Sequence, residues 1–84
     1  MYRVLLTKTA EKQLKRLPAL QQRRIAALLV SLEVEPRPLG CKKLRGTRNS
    51  YRIRCGDYRI IYDIFDREVT IRVMKIGHRG EVYQ

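Results

Sequence analysis

The sequence is poor in the residues that metal centres, disulfide scaffolds and membrane segments need. It has one histidine, two cysteines, no tryptophan and only 8 acidic residues in 84. Cys41 and Cys55 lack the spacing of zinc ligands, and no glycine-rich phosphate loop is present, so we expect reduced thiols and no metal or cofactor. No apolar run approaches the roughly 20 residues of a membrane span, and the N-terminus lacks the features of a signal peptide. We therefore expect a cytoplasmic protein with no membrane partner.

Positive charge is what the sequence has in excess. Its 19 lysines and arginines outnumber the 8 acidic residues, so the net charge is +11. A field of this sign attracts nucleic acid, anionic lipid or an acidic protein, and charge alone does not choose among them. Hydrophobic residues make up 44% of the chain, too many for a disordered basic tail. We predict a single domain over residues 1–84 with one modest core.

The N-terminal part of the sequence predicts one strand and two helices. Residues 2–6 (YRVLL) are β-prone, and Thr7 or Thr9 can cap the helix that follows. Apolar residues then recur at helical spacing in two runs, and Pro18 between them ends the first helix and suits the first turn of the second. Two helices joined by so short a turn form an antiparallel hairpin.

The C-terminal part of the sequence predicts a sheet. Residues 35–40 (EPRPLG) end the second helix, and the apolar period then changes to that of a strand. The pattern of residues 51–76 predicts three strands, YRIRC, YRIIYDIF and EVTIRVMKI, with KKLR at 42–45 as an edge strand or an extended lead-in. The predicted fold class is α+β, with an N-terminal strand and a two-helix antiparallel hairpin packed on one face of a mostly antiparallel four-stranded sheet.

Two turns set the predicted register of these strands. Gly56-Asp57 is a two-residue hairpin signal that puts Arg54 opposite Arg59. The weaker signal Asp66-Arg67 would put Phe65 opposite Glu68 and Ile61 opposite Arg72.

Alternation along the strands predicts one apolar and one basic face of the sheet. The apolar face should bury against the helices and holds Tyr51, Ile53, Cys55, Tyr58, Ile60, Tyr62, Ile64, Val69, Ile71 and Val73. The other face holds Arg52, Arg54, Arg59, Ile61, Asp63, Phe65, Thr70, Arg72 and Met74. A like-charge pair such as Arg54 and Arg59 is destabilising unless an anion lies between them. A solvated charged face is the simpler alternative, but arginine's planar fork matches phosphate, which favours a polyanion site.

The segment GHRGEVY at residues 77–83 adds side chains suited to RNA cleavage. His78 is the one histidine, the side chain that exchanges protons most readily near neutral pH; Arg79 can bind phosphate and Tyr83 can stack on a base. RNA needs no cofactor for cleavage, because its own 2′-OH can attack the adjacent phosphate when a base, cations and an acid are supplied. A purely structural role for a lone histidine stays open at this point.

The segments AEKQLKRLP, EPRPLGCKKLRG, YRIRCGDYRIIYDI and GHRGEVY, in this order, closely resemble the RelE/ParE superfamily of bacterial and archaeal toxins over residues 2–83. Within it the chain is most similar to the RelE branch of mRNA interferases. The resemblance implies two N-terminal helices on a mostly antiparallel sheet. It also implies a ribosome-dependent, metal-independent endoribonuclease that cuts mRNA in the A site by 2′-OH attack. A cognate RelB-like antitoxin would be its protein partner, and operator DNA would be reached only through the antitoxin complex.

The resemblance also assigns candidate residues. It implies catalytic roles for Arg52, Arg54, Arg59, Arg79 and Tyr83, and His78 occupies a position that is basic in relatives. Some relatives have lysines where this chain has Arg52 and Arg54, and arginine is a poor general base because it stays protonated. We hypothesise that His78 transfers protons while the arginines hold phosphate. The predicted RNA-binding residues around this site are Lys42, Lys43, Arg45, Arg48 and Arg72.

Two other functions remain compatible with the sequence. The ParE branch shares the fold but inhibits DNA gyrase, and a basic domain could bind RNA or the ribosome without catalysis. The arginine face, His78 and Tyr83 favour the RelE branch, because a gyrase inhibitor needs no set of residues arranged around a phosphate.

Overall fold

A computed structural model describes residues 1–78, in which two helices cover one face of a five-stranded sheet. The elements are β1 (Arg3–Leu6), α1 (Lys8–Lys15), α2 (Ala19–Leu32), β2 (Lys42–Lys43), β3 (Ser50–Cys55), β4 (Tyr58–Phe65) and β5 (Thr70–His78). The strand order is β1-β5-β4-β3-β2, with β1 parallel to β5 and the other pairs antiparallel. The predicted α+β class is confirmed. The sheet has five strands rather than four, because the N-terminal strand and the Lys42–Lys43 piece both join it.

Side-chain hydrogen bonds fix the ends of the helical hairpin. Thr7 caps α1 as predicted, since its Oγ1 accepts a hydrogen bond from the Ala10 N–H at 3.1 Å. At the other end of α1, the Gln22 side-chain amide donates to the carbonyl oxygens of Leu17 at 2.8 Å and Lys15 at 3.1 Å. The Lys15 carbonyl belongs to the last turn of α1, where carbonyls lack a partner within the helix, and Leu17 lies in the connection that follows. A residue of α2 therefore closes the end of α1 and holds the two helices together.

The core lies between the helices and the predicted apolar face of the sheet. It consists of Ala10, Ile25, Leu29, Leu32, Ile53, Ile60, Tyr62, Ile64, Ile71, Val73 and Ile76. Tyr62 is fully buried, and its hydroxyl donates to the carbonyl oxygen of Pro36 at 2.9 Å. The connection after α2 is thereby held against the core. Val69, predicted to lie on the buried face, is instead exposed.

The turn between β4 and β5 is longer than the sequence predicts. It occupies residues 66–69, with Val69 at a φ of 49°, so Phe65 pairs with Thr70 rather than with Glu68. A two-residue hairpin turn needs positive φ values that glycine and asparagine adopt most readily. In the four-residue turn the positive φ falls at Val69, a β-branched residue that rarely adopts it, so local backbone preference does not select this turn.

A β-bulge in β5 also changes the predicted register. The longer turn already pairs Arg72 with Asp63, so the predicted pairing of Ile61 with Arg72 is wrong. Met74 is the extra residue of the bulge, and beyond it Ile61 pairs with Lys75. An extra residue inverts the alternation of a strand from that point on. Lys75 is accordingly exposed and Ile76 is buried in the core.

A polar cluster at one end of the sheet joins four separate parts of the chain. Arg37 donates to both carboxylate oxygens of Asp66, at 2.8 and 3.3 Å, and its Nε donates to the Tyr51 hydroxyl at 3.1 Å. The Tyr2 hydroxyl donates to Asp66 Oδ1 at 2.7 Å. The bonds from Arg37 and Tyr2 lower the pKa of Asp66, and the bond to Asp66 raises the pKa of Tyr2. The cluster ties the N-terminus and the connection after α2 to the β4–β5 turn.

This cluster predicts a specific acid sensitivity. Because the pKa of Asp66 is lower in the folded than in the unfolded chain, its stabilisation is complete at neutral pH and is lost as the pH falls from about 4 through the folded pKa. The Asp66→Asn protein should therefore lose less thermal stability than wild type between pH 7 and pH 2. Melting curves across this range measure the difference. Glu11→Gln, which removes a carboxylate from the exposed ion pair with Lys15, is the control. The prediction is refuted if the melting temperatures of wild type and Asp66→Asn fall equally between pH 7 and pH 2.

Candidate nucleic-acid interface

The sheet face opposite the helices carries two rows of basic side chains. Directly paired residues lie on the same face of a sheet, so the register of β2 to β5 defines these rows. The first row is Lys42, Arg52, Ile61 and Lys75, and the second is Arg54, Arg59 and Gly77. We call the five basic residues, Lys42, Arg52, Arg54, Arg59 and Lys75, the basic surface.

The basic surface contains two cross-strand pairs of like charge. Lys42 pairs with Arg52, and Arg54 pairs with Arg59 as the sequence predicts. Like charges directly opposite each other destabilise a sheet. Each pair places two cations where a single anion could contact both.

Ile61 shows how the basic surface packs. It lies between Arg52 and Lys75 on the face away from the helices, yet it is only 9% exposed. The aliphatic stems of long basic side chains cover apolar neighbours in this way while their charged ends stay in water. The basic surface therefore holds a buried apolar side chain among its charged groups. Beside such a side chain the charge of a bound anion is less screened than in bulk water.

A cavity of about 210 Å³ lies at the hairpin end of this surface. It is lined by Arg54, Gly56, Asp57, Tyr58 and Arg59. Gly56 has a φ of 61°, the left-handed conformation that a tight two-residue turn needs and that glycine adopts without strain. The tight turn brings the two arginines to the mouth of the cavity. Two guanidinium groups in this position can bind the oxygens of one phosphate.

His78 lies beside this cavity on the other side of the sheet. It pairs with Tyr58, and the two rings meet edge to face with their centroids 5.4 Å apart. Tyr58 also lines the cavity that contains Arg54 and Arg59. His78 and the basic surface therefore lie on opposite faces of the sheet, and Tyr58 contacts the first and lines the cavity of the second.

The other predicted site residues lie in different places. Lys43 pairs with Tyr51, on the side of the sheet that faces the helices. Arg45 and Arg48 are exposed in the connection between β2 and β3. Arg72 lies on the open face but in a separate part of it, next to Asp63. Arg79 and Tyr83 lie outside the described residues.

Lys75 belongs to the basic surface but is absent from the residues that the sequence predicts. A regular strand in the register of Arg72 would place Lys75 on the buried side. The bulge at Met74 moves it to the open face, opposite Ile61. A lysine within an otherwise apolar strand end (VMKIG) is the one sequence signal that could have indicated the irregularity.

The family model described as "ParE toxin of type II toxin-antitoxin system, parDE" matches residues 4–83 of this chain. The chain belongs to this family of type II toxins. Among curated relatives, Toxin RelG of Mycobacterium tuberculosis is 32% identical, over 99% of this chain and 97% of its own length. The mRNA interferase toxin RelE of Escherichia coli is 32% identical, over 88% of this chain and 81% of its own length. These relatives confirm the RelE-like character inferred from the sequence.

Solved structures show the same fold. The toxin chain matched in the archaeal RelE–RelB complex from Pyrococcus horikoshii OT3 has a TM-score of 0.85 and 38% identity, covering 95% of this chain and 97% of that one. The isolated Escherichia coli RelE toxin has a TM-score of 0.82 and 29% identity, covering 99% of this chain and 92% of that one. The helical hairpin on a mostly antiparallel sheet is therefore the RelE-like architecture.

Within residues 1–78, no helix combines the length and the apolar character that crossing a membrane requires. In the same part of the toxin, no group of three His, Cys, Asp or Glu side chains is close enough to hold a metal ion. Cys41 and Cys55 are free thiols.

The like-charge pairs predict that removing one arginine stabilises the free toxin. Arg54→Gln should raise the free energy of unfolding by about 0.2–1 kcal/mol at low ionic strength, since it relieves repulsion from Arg59. The gain should shrink as salt screens the pair. Denaturant unfolding at low and high salt measures it, with Arg23→Gln on exposed α2 as the control for net charge. A loss of stability in Arg54→Gln at low salt would contradict the prediction.

Proposed function

We propose that this toxin is a ribosome-dependent endoribonuclease that cuts mRNA in the ribosomal A site and so inhibits translation. The observation that supports this most directly is the basic surface, where the register pairs Arg54 with Arg59 and both line a cavity of about 210 Å³. A face that concentrates positive charge fits an anionic substrate. The similarity to the Escherichia coli mRNA interferase RelE supports the choice of mRNA.

In the proposed reaction the attacking group belongs to the RNA. The 2′-oxygen bonds to the adjacent phosphorus and loses its proton to a base, while the 5′-oxygen leaves and takes up a proton. The products are a 2′,3′-cyclic phosphate and a free 5′-OH, and no metal ion is required. Arg52, Arg54 and Arg59 hold the phosphate and offset the negative charge that grows on its oxygens. Lys75 adds a further positive charge on the same face.

Proton transfer is assigned to His78 on the basis of the sequence. The contact of its ring with Tyr58, a residue that lines the cavity of Arg54 and Arg59, supports this assignment. Arg79 and Tyr83 enter the proposal from the sequence alone, as a further phosphate ligand and a ring for base stacking.

We further propose that a cognate RelB-like antitoxin binds this toxin in the cytoplasm, and that operator DNA is reached only through that complex. The solved complexes of RelE with RelB from Pyrococcus horikoshii and Methanococcus jannaschii support a partner of this kind. Large apolar side chains exposed on and after α2, Val30, Val34 and Leu39, also favour a protein partner.

Primer extension on a reporter mRNA tests the nuclease directly. Purified toxin is added to translating ribosomes, with naked RNA in parallel. Wild type should produce cuts at A-site codons, and Arg54→Gln Arg59→Gln should reduce the cutting rate by about 100-fold or more, since phosphate stabilisation is lost. The control Arg23→Gln Arg24→Gln removes the same charge from exposed positions of α2 and should cut like wild type. Equal losses in the two double variants would contradict the assigned site.

The other outcomes of this assay separate the remaining functions. Cuts on naked RNA at the same rate would retain the nuclease and refute the ribosome requirement. Folded toxin that cuts neither substrate would refute the proposal. Inhibition of gyrase supercoiling by that inactive protein would then assign the function that the matched family's ParE name suggests.

His78→Phe separates proton transfer from ring packing. Phenylalanine keeps an aromatic ring against Tyr58 but cannot carry a proton, so the proposed role predicts a loss of about 100-fold or more in cleavage on the ribosome. Cleavage at the wild-type rate by His78→Phe would assign the ring to packing alone.

A further inference from the structure

The open face has a second cavity, at the end away from the Arg54–Arg59 hairpin. Its volume is about 320 Å³, at the lower end of the range of small-molecule sites. The register places its walls side by side across β1, β5 and β4, and Glu68 comes from the β4–β5 turn. We call it the Phe65 hollow, and it is lined by Arg3, Leu5, Phe65, Glu68, Thr70 and Arg72.

The chemistry of the Phe65 hollow differs from that of the basic surface. Leu5 and Phe65 give it apolar walls, and the Arg72 guanidinium lies over the Phe65 ring at 5.0 Å from its centroid. The contact places the guanidinium group over the Phe65 ring. Proteins that bind single-stranded RNA stack its bases on aromatic rings and on arginine planes of this kind.

The charges around the hollow favour a base over a phosphate. Glu68 lines it and would repel a phosphate at close range, whereas a base is uncharged and carries N–H groups that a carboxylate can accept. Arg3 and Arg72 keep the surroundings attractive to the rest of the strand. The hollow thus suits a planar uncharged group that is attached to a polyanion.

The two sites lie on the same face and share a strand. Arg59 and Phe65 both belong to β4, six positions apart, which corresponds to about 20 Å. Between them, Asp63 accepts a hydrogen bond from Ser50 Oγ at 2.6 Å and lies opposite Arg72. The positive charge of Arg72 therefore offsets the negative charge of Asp63 along the path of the RNA strand. A single strand several nucleotides long can cross this distance over the open face.

We infer that the Phe65 hollow binds one nucleobase of the same mRNA strand whose phosphates lie on the basic surface, several nucleotides from the bond that is cut. The inference rests on the proposed nuclease function and extends it. It assigns Phe65 and Arg72 as residues that position the strand along the sheet, away from the reacting phosphate.

Abasic substitution in the mRNA tests this inference. Ribosomes are programmed with a series of mRNAs that each lack one base at a different position around the A site, so that bound tRNA fixes the register. With wild-type toxin, removal of one base outside the cut dinucleotide should lower the cleavage efficiency by about 5-fold or more, the usual effect of losing a base stack. Phe65→Leu and Arg72→Gln should cut intact mRNA with a similar loss and should be insensitive to that abasic position.

The control is Arg23→Gln, which removes the same charge as Arg72→Gln from the helical side of the molecule. It should keep the wild-type pattern across the abasic series, and melting curves establish that each variant is folded. If wild type cuts intact mRNA but no abasic position is coupled to Phe65 or Arg72, the inference is wrong and the nuclease stands. If Phe65→Leu instead weakens only binding of a RelB-like antitoxin, the hollow serves the protein partner and the inference is overturned. If wild type cuts no mRNA, the proposed function and this inference fail together.

Discussion

The register of β4 is the constraint on which the fold and the functional surface both depend. This strand pairs with β3 on one side and β5 on the other, and Ile60, Tyr62 and Ile64 bury its inner face. Burying each such side chain contributes about 1.5–3 kcal/mol, whereas a like-charge cross-strand pair costs up to about 1 kcal/mol. A slip of one residue would expose all three core side chains. The core therefore holds Arg59 opposite Arg54 against their repulsion.

The first hairpin of the sheet could be predicted from the sequence because a single glycine determines it. Gly56 has the positive φ that a two-residue turn demands, and the register of β3 on β4 follows directly. The second hairpin could not, because Asp66-Arg67 resembles a two-residue turn while the chain forms a four-residue one. Nothing in the local sequence distinguishes these solutions, and the cluster of Asp66 with Arg37 and Tyr2 forms only once distant segments have met.

The contrast between the two hairpins also explains how much of the site could be predicted from the sequence. Arg52, Arg54 and Arg59 lie on one face because period-two alternation is unbroken through the first hairpin. Continued unbroken along β5, it would place His78 on the same face as Arg72. The bulge at Met74 inverts it, so Lys75 joins the basic surface and His78 packs against Tyr58 on the other side. One unpaired residue thus determines the composition of the site, and the sequence pattern does not specify it.

The open face keeps apart the two groups of side chains that we propose to bind phosphate and base. Phosphate contacts supply affinity and orientation without reading sequence, while contacts to bases supply selectivity. Here the five cations of the basic surface are grouped at the Gly56 end of β4, and the aromatic and apolar side chains are grouped at the Phe65 end. Because β4 contributes Arg59 to one group and Phe65 to the other, and the core fixes its position, an RNA strand bound at one end is presented to the other in a defined register. The rigidity that tolerates like-charge repulsion at Arg54 and Arg59 is then the property that makes selection of a base at Phe65 physically possible.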